Sequence, residues 1–417
     1  MAHPRERRAG LSRRQFLKTS LGATAMLPGA SAFLAACARP GVSPGSSRER
    51  TLARPDQPVT LPMFRDPIPT NTPMESGTLR VYNWSDYFYK RVLREFEEQY
   101  GVEIEWTTFN NMEEGIQKLV AGQVQADVFF PTTDYLARLV ERDLLQPLNH
   151  DLIPNIPANY WRSFSDPGPY YDKGWRYTIP YVIYTTGVAY RRDRVDDAEA
   201  AAEGYELLFD TRFNGEVSYY DSYRDALGMM LLRNGVEDAN TGDAAAIDAA
   251  KDAILTMIND NGARLTVNGA YDRLPQGEFT VAQSWSGDIV GGQFYLPEDV
   301  PVDVLGYWYP PDRKGLIGND TIAIPASAES PRLAHEFLNF LADEKWAYIN
   351  FRDYNGYQPP MTSIKPARLV DEGVVPESLS TAVLGEKNFT LGYLQGELSI
   401  EADDVWLDAW REIQTGG

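Results

Sequence analysis

The chain has 417 residues, 43% of them hydrophobic and 24% charged, with a formal net charge of −20. That length points to two domains or one large two-lobed unit, and the acidity argues against nucleic acid or anionic lipid as partner and in favour of cations. A single cysteine, Cys37, excludes an intramolecular disulfide, and three histidines (His3, His150, His335) are too few for a histidine-rich metal site.

Residues 1–37 read as a targeting segment and are set aside from fold reasoning. Ser12-Arg13-Arg14-Gln15-Phe16-Leu17-Lys18 resembles a twin-arginine export motif. A mildly apolar stretch, 21–33, follows and ends in Leu34-Ala35-Ala36-Cys37, which resembles a bacterial lipobox and makes Cys37 the expected lipidation site. An exported protein is expected, periplasmic or on the cell surface, with the lipid as its sole membrane anchor. Residues 38–76 are rich in Pro, Ser, Thr and Arg and read as a flexible tether. No later stretch is long and apolar enough to span a bilayer.

From Thr78 onward strand and helix patterns alternate. Leu79-Arg80-Val81 is a short buried strand. Leu93, Phe96 and Tyr100 then recur at helical spacing until Gly101 stops the helix. Val102, Ile104 and Trp106 alternate with polar residues as a strand; Met112, Ile116, Leu119 and Val120 mark a helix; Val128-Phe129-Phe130 is a buried strand. Repeated units of this kind predict a parallel α/β sheet covered by helices, whose ligands bind beyond the carboxyl ends of strands. Further strands are expected over 177–181, 186–190, 216–220, 279–283 and 320–325. Helices are expected over 244–259 and 334–351, and the C-terminal portion reads as helical with turns.

Four strand ends carry chemistry that a core would not hold. Tyr82-Asn83-Trp84-Ser85-Asp86-Tyr87 gathers an indole, phenols, a hydroxyl and a carboxylate within six residues; its plainer alternative is a strand-to-helix turn with Asp86 as cap. Thr132-Thr133-Asp134, Asp221-Ser222-Tyr223-Arg224-Asp225 and Ser284-Trp285-Ser286-Gly287-Asp288 repeat the theme. Flat aromatic faces beside carboxylates suit an organic cation.

With Ile179-Pro180-Tyr181, Gly187-Val188-Ala189-Tyr190, Phe213-Asn214-Gly215-Glu216-Val217, Asp320-Thr321-Ile322-Ala323-Ile324-Pro325 and Asn355-Gly356-Tyr357, these stretches resemble, in order and spacing, the ABC-transporter solute-binding lipoproteins of the polyamine (spermidine/putrescine) type, over about residues 77–410. The resemblance implies an α/β, two-lobed periplasmic-binding-protein type II fold, with discontinuous lobes (77–188 plus 285–326; 189–284 plus 327–417) joined by a hinge. It implies a non-enzymatic, cofactor-free monomer that captures a polyamine or similar cation and delivers it to ABC permease subunits, with no nucleic-acid partner. It places Trp84 and Tyr87 along the methylene chain, Ser85 and Asp86 at one end, Thr132 as a hydroxyl contact, Asp225 with Ser222 as an acidic group, Trp285 and Asp288 as second aromatic wall and central carboxylate, and Tyr357 and Gln358 near a late polar contact. Asp134 stands where an aromatic is common, Gly318 near where an aromatic is expected, and Ser222 where a second acid is frequent; these departures bear on which amine is bound.

Two other readings stay open on the residues. Tyr219-Tyr220 suggests a ferric-ion receptor of the same fold, although strand alternation should part the two phenols. Paired carboxylates suggest an exported hydrolase; against it, Ser284-Trp285-Ser286-Gly287 lacks the first glycine of a nucleophile elbow.

Overall fold

A computed structural model describes residues 52–54, 56–85, 87–165 and 170–416. Eleven strands form its sheet: β1 (Thr78–Trp84), β2 (Glu103–Phe109), β3 (Val128–Phe129), β4 (Leu145–Gln146), β5 (Thr178–Arg191), β6 (Val217–Tyr220), β7 (Arg264–Thr266), β8 (Val281–Trp285), β9 (Leu305–Trp308), β10 (Leu316–Pro325) and β11 (Tyr393–Leu394). The main path runs β2-β1-β3-β10-β5-β8-β6-β7. Two parallel groups, β2-β1-β3 and β8-β6-β7, flank a central antiparallel pair, β10 and β5.

That central pair binds the two groups together. The strands expected over 177–181 and 186–190 are one long strand, β5, that continues through Pro180. Proline cannot donate to a ladder, and the register slips here: Asp320 faces Val182 but Thr321 faces Pro180, leaving Tyr181 as the extra residue of a bulge.

The principal helices are α1 (Lys90–Tyr100), α2 (Met112–Val120), α3 (Leu136–Glu141), α4 (Tyr223–Arg233), α5 (Ala244–Asn261), α6 (Ser286–Gly292), α7 (Pro331–Leu341), α8 (Glu344–Asn350) and α9 (Ile400–Thr415). Gly101 ends α1 at φ 66°, its N–H on Glu97 O. The helix expected over 334–351 is instead α7 and α8, because Asp343 leaves the helix and caps the next one through Lys345 N, 2.9 Å. Phe96 of α1 packs edge-on against Phe337 and Phe340 of α7. The opposite face of β1 buries Tyr82 against Phe109 and Phe129. A separate core joins Val217, Leu227, Met230, Ile254 and Trp406. Each such side chain contributes about 1.5–3 kcal/mol when fully buried. β2 departs from expectation: it is an edge strand, and Trp106 remains 40% exposed.

The segment expected as a tether is, over its described part, laid on the folded unit. Leu61 is buried, Val59 exchanges main-chain hydrogen bonds with Tyr170 and Lys173, and Arg65 pairs with Asp143 at 2.8 Å. Glu75 accepts the N–H groups of Arg332 (3.3 Å) and Leu333 (2.8 Å) at the start of α7, where a carboxylate suits the helix dipole. Proline-rich composition marks a chain without regular structure, which is compatible with docking. No helix among the described residues is long and apolar enough to cross a membrane.

A buried ionic network links α3 to α4 and α9. Arg138 donates to Glu397 (3.0 Å) and Asp403 (2.9 Å), and Tyr223 donates to the other Asp403 oxygen (2.9 Å). Burial opposes the Arg138 charge, but Asp403 and Glu397 outweigh it and hold the guanidinium firmly protonated. Nearby, buried Arg224 lies over the Trp406 ring at 4.4 Å and donates to Asn240 and Gly396 O.

Candidate functional site

The strand ends singled out above converge beside the central pair. β1 delivers Trp84, whose indole N–H is tied to Phe130 O (3.2 Å) and whose ring tilts on Phe109 at 4.7 Å. Ser85 N–H continues the ladder to Phe109 O, 3.1 Å. Asp86 and Cys37 lie outside the described residues. The Tyr87 main chain is pinned by Asn350 (3.0 Å) and Asn355 (3.2 Å) side chains, and its phenol donates to Asp320.

Asp320, on β10, is 3% exposed. Its Oδ2 accepts from Tyr87 and its Oδ1 from Tyr184, at 3.4 Å. Loss of water pushes its carboxyl up to about 7; the two hydroxyls offset this only in part, and Asp134 and Asp225 add to the rise.

Asp225 opens α4. Its Oδ1 accepts the Trp285 indole N–H (2.9 Å) and the Thr186 hydroxyl (3.4 Å), and its Oδ2 accepts the Ser222 hydroxyl (2.9 Å). Burial raises its pKa against the pull of the indole and Ser222. Among the described residues, no basic side chain lies within ion-pair distance of Asp225 or Asp320. Asp134 differs: burial raises its pKa, but Arg224 opposes the rise from 3.9 Å, aided by the Thr132 hydroxyl.

Asp288, in the first turn of α6, accepts from Tyr220 (2.5 Å) and Tyr357 (2.7 Å). Trp285 stacks on Tyr220 with centroids 4.2 Å apart, and its main-chain N–H donates to the same phenol oxygen. Gly287 permits the approach of Tyr357 to Asp288, since a Cβ there would fall 2.3 Å from the Tyr357 ring.

Trp285, Tyr357, Tyr87, Asp225, Asp288 and Ser222 are therefore brought into one linked cluster, with Thr132 and Asp134 at its margin. Thr132 reaches it through a main-chain bridge to Asp320. Gln358 is not: its amide closes a ring of two hydrogen bonds with the Leu384 main chain, 2.7 and 2.9 Å. Asp320, Tyr184 and Thr186 were not among the candidates, and Tyr220 was named only for the ferric-ion reading. The available signal for Asp320 was a carboxylate leading the otherwise apolar Ile322-Ala323-Ile324. The Tyr219-Tyr220 phenols do not converge, since Tyr219 donates to Ala226 O and Tyr220 to Asp288.

Buried carboxylates bonded by neutral hydroxyl and indole donors and flanked by aromatic rings are thus gathered beside the two central strands. The bacterial extracellular solute-binding protein family matches residues 91–374, more than half of the chain. The chain belongs to this family, and is accordingly a solute-binding transport protein and not an enzyme. It is 24% identical over 278 residues to the spermidine/putrescine-binding periplasmic protein 1 of Haemophilus influenzae, covering 66% of this chain and 73% of that one. It is 25% identical over 362 residues to the putrescine-binding periplasmic protein PotF of Escherichia coli, covering 82% and 92%. The crystal structure of the Tp0655 (TpPotD) lipoprotein of Treponema pallidum superposes with a TM-score of 0.67 at 19% identity, over 81% of this chain and 99% of that chain. The shared architecture is the two-lobed periplasmic-binding-protein fold.

Proposed function

We propose that this protein captures an organic cation with at least two ammonium groups, of the polyamine class, between its lobes and delivers it to the permease of an ABC importer. The observation that carries this reading is the state of Asp225 and Asp320: both are buried, and both are held by neutral hydroxyl and indole donors. A buried charge without a counter-ion is costly, and a ligand ammonium is the missing partner. Trp285, Tyr184 and Tyr357 supply aromatic faces between them, each cation–π contact contributing about 0.5–2 kcal/mol. The polyamine-binding relatives support the choice of amine over other cations.

The lobes close about β5 and β10, the strands common to both halves. Arg13 and Arg14 direct export by the twin-arginine route and Cys37 carries the lipid anchor. Cys37→Ala releases the protein from the membrane fraction without unfolding it; retention through alkaline washing argues against the anchor.

Calorimetric titration of putrescine, spermidine, agmatine and butylamine tests the ligand class. Diamines and triamines are expected to bind at micromolar concentration or tighter, and butylamine far more weakly. Equal affinity for butylamine and putrescine overturns the reading.

A further inference from the structure

Tyr184 enters the roles described so far only as a hydrogen-bond donor to Asp320 and as one of three aromatic faces, yet it touches more of the cluster than either role needs. It sits on β5 directly opposite Gly318 of β10. The far end of its ring occupies the space beside that glycine: a Cβ at 318 would fall 2.1 Å from the Tyr184 Cζ and 2.5 Å from its hydroxyl oxygen. Gly318 is buried in the interior of a ten-residue strand, where glycine weakens pairing and packs nothing. Its value is the space it gives to Tyr184.

From that seat the ring reaches both ends of the cluster. The hydroxyl donates to Asp320 Oδ1 at 3.4 Å. The ring meets Trp285 edge-on at 5.9 Å and Tyr357 at 5.7 Å. Trp285 in turn holds Asp225 through its indole N–H. One phenol ring thus fills the interval between the two carboxylates that await a cation.

We propose that Tyr184, seated on Gly318, is a specificity-determining residue that sets the length and girth of the cation accepted between Asp320 and Asp225. The inference rests on the polyamine reading above. The ring subtracts its own volume from the cleft, so a short diamine fits while a longer or N-substituted amine must displace it. Its hydroxyl also takes one acceptor position on Asp320, leaving fewer for a fully protonated primary ammonium.

Titration of putrescine and spermidine against wild type, Tyr184→Ala, Tyr184→Phe and Gly318→Ala tests this, with thermal unfolding recorded for each. Tyr184→Ala shifts the spermidine-to-putrescine affinity ratio at least tenfold toward spermidine. Tyr184→Phe keeps the ring and keeps the wild-type ratio. Gly318→Ala pushes the ring into the cleft and weakens both ligands, whereas Gly318→Ala combined with Tyr184→Ala behaves as Tyr184→Ala alone. Should Tyr184→Ala not fold, Tyr184→Leu gives the same shift in ratio. An unchanged ratio in Tyr184→Ala or Tyr184→Leu, or strictly additive effects at 184 and 318, overturns the proposal and leaves the polyamine reading standing. A wild-type protein that binds none of the amines overturns both.

Discussion

Arg138 and Asp320 occupy equally dry surroundings, at 8% and 3% exposure, but their neighbours differ in kind. Around Arg138 the chain provides both signs of charge: Glu397 and Asp403 meet the guanidinium at 3.0 and 2.9 Å. Around Asp320 it provides two phenols. Hydroxyls satisfy the lone pairs of a carboxylate but leave its charge uncompensated, which is why burial still lifts Asp320 to about 7. The ionic network is complete in itself and serves the fold. The Asp320 cluster lacks one thing that the Arg138 network has, a group of opposite charge, and on the proposed function a ligand ammonium supplies it.

The largest expected effect breaks the complete side of this pair. Arg138→Ala leaves Glu397 and Asp403 buried without the guanidinium, and should cost about 3–5 kcal/mol of stability in urea unfolding. A loss below 1 kcal/mol would mean that water enters the network and that it is not a dry ionic cluster.

Asp320→Asn probes the other side. It removes the charge that the ligand would neutralise, so amine affinity should fall by about 2–5 kcal/mol, while the ligand-free protein keeps or gains stability. Unchanged calorimetric affinity would remove Asp320 from the site.

Acidity sharpens the contrast. The folded-state pKa of Asp320, about 7, lies above the unfolded value of about 3.9. The ligand-free fold therefore holds a proton that the unfolded chain has lost, and its stability declines as pH rises from about 4 to about 7, by about 1.4 kcal/mol per unit at most. Asp225, also raised by burial, acts in the same sense. A bound ammonium stabilises the ionised form, so amine affinity increases with pH toward 7 and binding releases protons. Calorimetry in buffers of different ionisation enthalpy measures that release; no release, or an equal release from Asp320→Asn, contradicts the assignment.

The smallest effect concerns a pair neither dry nor isolated. Arg65 and Asp143 are partly exposed, at 34% and 16% for their side chains. Arg65→Ala should cost about 1 kcal/mol or less, and hydrogen exchange should then quicken in residues 56–76 before it does in β1. Uniform exchange would mean that the segment and the sheet open together.

The order of strands and helices was legible in the residues because periodicity is local: Phe96 three residues after Leu93, and Gly101 closing the helix. So were the strand ends bearing Trp84, Asp225, Trp285 and Asp288, since a polar cluster after an apolar run stands out within a few positions. What the tertiary structure decided is which donor meets which acid. Tyr87 reaches Asp320 across 233 positions of chain, and Tyr184 meets it across 136. Tyr184 meets it through the antiparallel pairing of β5 with β10, and Tyr87, just beyond β1, through the β1-β3-β10 order of the sheet, neither of which the local pattern encodes. Gln358 shows the converse: a polar residue beside Tyr357 looked like a ligand contact, but the fold spends its amide on Leu384. Side-chain type and spacing mark the strand ends where aromatic rings and carboxylates gather; strand register determines which of them meet.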